Sequence, residues 1–127
     1  MNMFDGFERY EKSRAYSEKI SIAATGGISF NTTAYEELNL DRFCFAAFFY
    51  NKENKNVGIR FSHEKLDGAY QLKPRVNAKQ EKALYLSIKG FVMTYKPIQG
   101  VKVQKYKIVN KAENNGILDV ILSPIIE

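Results

Sequence analysis

A chain of 127 residues with 45% hydrophobic and 26% charged residues has enough apolar surface for one self-supporting core and lies far from the composition of disordered proteins. Cys44 is the only cysteine, which excludes an intramolecular disulfide, and the formal charge of +5 with a pI near 9.3 suits an anionic partner without specifying one. The longest apolar run, Phe43–Tyr50, is too short for a membrane-spanning helix, and Asp5, Glu8 and Arg9 stand where a signal peptide needs an apolar stretch, so a cytoplasmic protein is expected.

Residues 1–18 mix both charge signs with Phe4, Phe7, Tyr10 and Tyr16 and read as an arm laid on a single domain spanning 19–127. From Lys19, Ile20, Ile22 and Ala24 alternate with Ser21 and Ala23, and Gly26-Gly27 turns the chain into Ile28-Ser29-Phe30, giving two short strands. Asn31, Thr32 and Thr33 open a helix that runs to Leu38 or Leu40, with Thr33 and Glu36 at capping-box spacing. Phe43–Tyr50 is apolar on both faces and is expected to be a central strand, the most buried of the chain. The polar turn 51–56 leads into a second strand, Val57–Ser62, completing a hairpin.

After the Leu66-Asp67-Gly68 turn, Tyr70 and Leu72 alternate with Gln71, Lys73 and Arg75 in one strand, placed at a sheet edge by Pro74. A charged loop, 77–82, precedes the strand Leu84–Ser87, and Ile88–Lys96 reads as a helix stopped by Pro97. Val101–Val109, the turn 110–116 and Ile117–Leu122 form a last hairpin. The fold class is therefore α+β. The order β-β-α-β-β occurs twice, with repeats at about 19–62 and 83–123, and predicts a pseudo-twofold arrangement of curved antiparallel sheets or a barrel with two short helices.

Gly27-Ile28-Ser29-Phe30-Asn31 followed by Thr32–Leu38 resembles the strand and helix that close the single-stranded-DNA-binding fold of transcriptional positive cofactor four and the Whirly proteins. The four strands from Phe43 to Ser87, followed by a helix, add to that resemblance. The elements from Gly27 to Phe61 are also similar to the AbrB-type swapped-hairpin regulators, although Ile28 stands where an arginine usually follows the leading glycine. Both resemblances imply a nucleic-acid partner.

The residues offer little chemistry for an enzyme. Cys44 and His63 would make a thiol–base pair, but Cys44 falls within the apolar run, where a thiolate is disfavoured. No cluster of metal-ligand spacing occurs, and no cofactor is implied. Gly26-Gly27 precedes a strand, whereas phosphate-cradling glycines open a helix. Adjacent Glu36 and Glu37 point apart on a helix. The basic residues are the better candidates. Arg60, Lys73, Arg75, Lys102, Lys105 and Lys107 fall on polar strand faces, and on curved sheets they are expected to line a concave surface with Tyr70, Tyr85 or Tyr106 among them. The expected function is non-enzymatic binding of nucleic acid, with single-stranded DNA preferred and transcription regulation as the setting, by a pseudo-twofold monomer or a homodimer. The alternative is a protein-interaction module acting through hairpin edges or the N-terminal arm.

Overall fold

A computed structural model describes Met3, Asp5, Gly6, residues 19–76, Lys79 and residues 81–125. The N-terminal arm lies almost wholly outside the described residues. The elements run β1 (Ile20–Ala23), β2 (Gly27–Phe30), α1 (Thr32–Glu37), a 3-10 turn (Leu40–Arg42), β3 (Phe45–Tyr50), β4 (Val57–Ser62), β5 (Tyr70–Gln71), β6 (Pro74–Val76), β7 (Lys82–Ser87), α2 (Lys89–Tyr95), β8 (Val103–Asn114) and β9 (Ile117–Pro124). Among the described residues, no helix is long and apolar enough to cross a membrane.

The strands form one antiparallel sheet in the order β5-β3-β4-β9-β8-β1-β2-β7-β6. Its edge strands, β5 and β6, are consecutive in sequence with only Leu72 and Lys73 between them. Three peptide steps span at most about 11 Å, so the sheet must curl until its two edges meet at this corner. The expected single strand Tyr70–Arg75 is thus two, and Leu72 still donates its N–H to Cys44 O (2.7 Å) before the chain crosses to pair with β7. The result is a curved half-barrel.

Alternation within the strands sends one set of side chains to the concave side. Ile20, Ile22, Ile28, Phe30, Val57, Ile59, Phe61, Leu84, Tyr106, Leu118, Val120 and Leu122 are all buried there, and the helices supply Ala34, Tyr35, Phe91 and Val92. Near α2 the core is aromatic, with Phe91 5.7 Å from Phe48 and 6.2 Å from Tyr50 between ring centroids. A register shift between Ile108 and Asn110 in β8 is a bulge that reverses the alternation beyond it, so Lys111 and Glu113 stand opposite the concave-side Val120 and Leu118. There Arg42 forks onto Glu113 with hydrogen bonds of 2.7 and 2.6 Å.

Several local expectations are corrected. The Phe43–Tyr50 run is not the most buried strand: in β3 only Ala46 is fully buried, while Phe49 is 54% exposed, because alternate residues face outward. The core strand is β4, whose Val57, Ile59 and Phe61 are all buried. Helix α1 is capped two residues before Thr33, by Asn31, whose Oδ1 accepts from Ala34 N–H (2.9 Å) and also from Lys19 N–H (3.0 Å). Helix α2 begins after Ile88 without a side-chain cap. The last hairpin turns later than expected, at Asn115-Gly116, both at positive φ, as a two-residue connection requires.

Candidate nucleic-acid interface

On a curved sheet with a filled concave side, polar residues are left the convex one. This corrects the expected concave basic surface: the apolar stripe of every strand occupies the concave side, so Arg60, Arg75, Lys105 and Lys107 face outward. Tyr106 parts company with its lysine neighbours. It lies opposite Ile20, is 3% exposed, and its hydroxyl has no hydrogen-bond partner among the described residues. Burial pushes its pKa up to about 12. Tyr70 is also on the concave side, half-buried with its ring 5.7 Å from Phe48 and edge-on to it. Neither tyrosine belongs to the basic face.

Cross-strand register assembles the remaining candidates. Lys105 in β8 faces Ser21 in β1, Ser21 faces Ser29 in β2, and Ser29 faces Tyr85 in β7. The Pro74↔Leu84 pairing places Lys73 next in line beside Tyr85, and Arg75 faces Ala83. One transverse row therefore crosses five strands, roughly 19 Å at the usual strand spacing. Cations stand at both ends, with two serines and a tyrosine between them. Lys107 lies two residues from Lys105 on the same face, opposite Ser123. Lys102 is exposed in the segment entering β8, where its carbonyl accepts from Ala24 N–H (2.8 Å).

Tyr85 is laid down on the sheet. A Cβ on Gly27 would stand 2.7 Å from Cζ and 2.8 Å from Cε2 of Tyr85, so the ring covers the glycine diagonal to it. The Arg75 guanidinium lies 4.8 Å from the centroid of that ring. The phenol ring thus lies over the Gly27 backbone with the Arg75 guanidinium on it, and it is open to solvent, since Tyr85 is 46% exposed.

The charges in this row are unmatched. Lys73, Arg75, Lys105 and Lys107 form no ion pair among the described residues, and the outward positions of β6, β7, β2, β1 and of β8 before its bulge hold no carboxylate. Arg60 differs. Its Nε donates to Asp119 Oδ1 (2.7 Å) and its Nη2 to Oδ2 (2.9 Å), and these bonds hold the Asp119 carboxyl below its ordinary range. Arg60 is on the expected face with its charge already met.

Cys44 is exposed, correcting its expected burial, because it precedes β3. The Phe45↔Ser62 register brings it opposite exposed His63 just beyond the ladder, with no hydrogen bond between thiol and imidazole. Among the described residues, no three His, Cys, Asp or Glu side chains gather as metal ligands. At one mouth of the half-barrel, Tyr35 Oη and Lys82 Nζ both donate to Asp41 Oδ1 (2.8 Å each), tying the segment after α1 to β7 and holding the Asp41 carboxyl below its usual range.

Ser21 and Ser29 were not singled out from the sequence. Their only signal is that β1 and β2 carry small or hydroxyl side chains at their outward positions. No protein-family model matches the chain, and no curated protein or solved structure matches it.

Proposed function

We propose that this chain is a non-enzymatic nucleic-acid-binding module, with single-stranded DNA as its preferred ligand and transcription regulation as its setting. The observation that carries the reading is the carboxylate-free row Lys105–Ser21–Ser29–Tyr85 with Lys73 and Arg75 at its far end. Unmatched cations separated by hydroxyl donors suit a phosphodiester backbone, for which Lys, Arg and Ser are ordinary contacts. The guanidinium above Tyr85 adds a plane on which a base of a single strand can stack. Solubility alone would scatter these cations among acids, as at Arg60 and Asp119. The resemblance of Gly27–Leu38 to the positive cofactor four and Whirly fold points the same way.

The chain is also read as two equivalent units. Exchanging β1 with the β5–β6 segment, β2 with β7, β3 with β8 and β4 with β9 leaves every neighbour relation in the strand order unchanged, which supports a pseudo-twofold axis. On this reading the second unit starts at Tyr70, before the expected 83.

The test is a fluorescence-anisotropy titration with single- and double-stranded oligonucleotides at two salt concentrations. Binding that weakens steeply with salt, with a log–log slope near −3 if four cations meet phosphates of a single strand, is expected. Absence of binding to any oligonucleotide at low salt overturns the proposal and leaves the protein-interaction module in its place.

A further inference from the structure

Gly58 lies in the middle of β4, flanked by β3 and β9. The backbone does not need a glycine there. Its φ is not in the left-handed region, and a Cβ would meet only Phe49 Cβ at 3.5 Å and other atoms at 3.9 Å or more, which is ordinary contact. Gly27 is the opposite case, since a Cβ there would strike the Tyr85 ring. A strand-interior glycine weakens its strand and often marks where a ligand or another backbone comes close.

Gly58 lies in the floor of an open hollow of about 550 Å³ on the convex side. Its walls are Phe49 and Ile121, the cross-strand neighbours of Gly58, and its rim is the 51–56 turn. The volume lies in the usual range of small-ligand sites. In the rim, Asn51 Oδ1 accepts from the Glu53 and Asn54 N–H groups (2.9 and 3.3 Å) and Asn54 Oδ1 from Asn56 N–H (2.9 Å). The acceptor of the Asn51 amide is spent inside the turn and its NH2 donor remains, Asn54 Oδ1 keeps one lone pair, and Lys52 and Glu53 share the rim. The hollow therefore suits a flat body with apolar faces and a polar edge. It also adjoins the basic row, because Lys107 faces Ser123 and so lies diagonal to Ile121, a spacing of roughly 7–8 Å.

We propose that the hollow over Gly58 receives one unstacked base from a strand whose phosphates lie on Lys107 and Lys105. This rests on the nucleic-acid reading above. Gly58→Val fills the floor with a residue that strands favour, and Phe49→Ala removes an exposed wall without touching the core. Against oligothymidine, each variant is expected to bind roughly five- to a hundredfold more weakly at an unchanged salt slope, since a base contact and no phosphate contact is lost. An abasic nucleotide scanned along the oligomer is expected to find one position that weakens the wild type and leaves Gly58→Val unaffected. Circular dichroism checks that both variants are folded. If both bind within twofold of the wild type, or no abasic position discriminates them, the hollow is not a base site, while the interface stands should Lys105→Ala with Lys107→Ala lose affinity and flatten the slope. A wild type that binds no oligonucleotide overturns both readings at once.

Discussion

On the convex side of β3, β4 and β9, Arg60 is held by Asp119 and Phe49, Gly58 and Ile121 lie beside the pair, whereas on β8, β1, β2, β7 and β6 four cations stand around serines and a tyrosine with no acid among them. A count of formal charge scores Arg60 and Arg75 alike. Register separates them: one lands opposite a carboxylate, the other over a phenol ring. The difference teaches that the charge a strand can offer a ligand is set by its cross-strand neighbour, a residue often far away in sequence.

The sharpest way to break this comparison is to neutralise one field at a time. Replacing Lys73, Arg75, Lys105 and Lys107 by Gln is expected to lower oligonucleotide affinity by on the order of a hundredfold at moderate salt and to remove about three units from the salt slope. Arg60→Gln with Asp119→Asn is expected to stay within about threefold of wild type. Equal losses from the two sets in the same anisotropy assay would erase the distinction between the fields.

A smaller effect separates the two glycines. Gly27→Ala forces Tyr85 off its seat and is expected to cost roughly 1–3 kcal/mol in urea denaturation, as overpacking does. Gly58→Ala should lie within about 0.5 kcal/mol of wild type or slightly above it. Similar costs at both positions would mean that Tyr85 is not braced by the sheet.

Beneath the convex field, one buried tyrosine makes the core sensitive to alkali. Tyr106 holds its proton more tightly folded than unfolded, so its contribution is complete below about pH 10, the ordinary tyrosine value, and is lost as pH rises toward the folded value of about 12. Tyr106→Phe is expected to remove part of the alkaline loss of stability, and at neutral pH to change stability by less than about 1 kcal/mol, because the hydroxyl it deletes lacks a partner. Thermal melts from pH 8 to 12 decide the point.

The smallest effect belongs to the exposed Arg60–Asp119 pair, whose coupling in a double-mutant cycle is expected to be weak and to shrink with added salt. Its carboxylate titrates below the unfolded value near 4, so the coupling is present above that pH and fades as pH falls through the lower folded value. Coupling that survives at pH 2 would contradict the assigned geometry.

Alternation made much of this legible beforehand. It set Ile20, Ile22, Val57, Ile59 and Phe61 inward and Lys105 and Lys107 outward, because a strand's period of two needs no partner to be read. It misled at Phe45 and Phe49, where an apolar run suggested burial on both faces though one face meets solvent. It carried straight through Leu72 and Lys73, where the chain changes edges and Pro74 is the only sign of interruption. Most of the candidate site was beyond it. The faces of Lys105, Ser21, Ser29 and Tyr85 follow from local pattern, but their alignment in one row depends on three separate registers, two of them between strands distant in sequence. The pairing of Arg60 with Asp119 is equally non-local.

The bulge in β8 acts as a sorting device of one residue. With Val109 left out of the ladder, Lys111 and Glu113 rotate to the side of Arg42, while Asn110 and Ala112 take the convex positions. Pairing Val109 with Ile121 in an unbroken ladder would instead bring Glu113 to the outer surface beyond Lys107, strip Arg42 of its partner, and carry a negative charge toward a field that now has none. A frame of one amino acid thus keeps an acidic side chain out of the field its own strand helps to build.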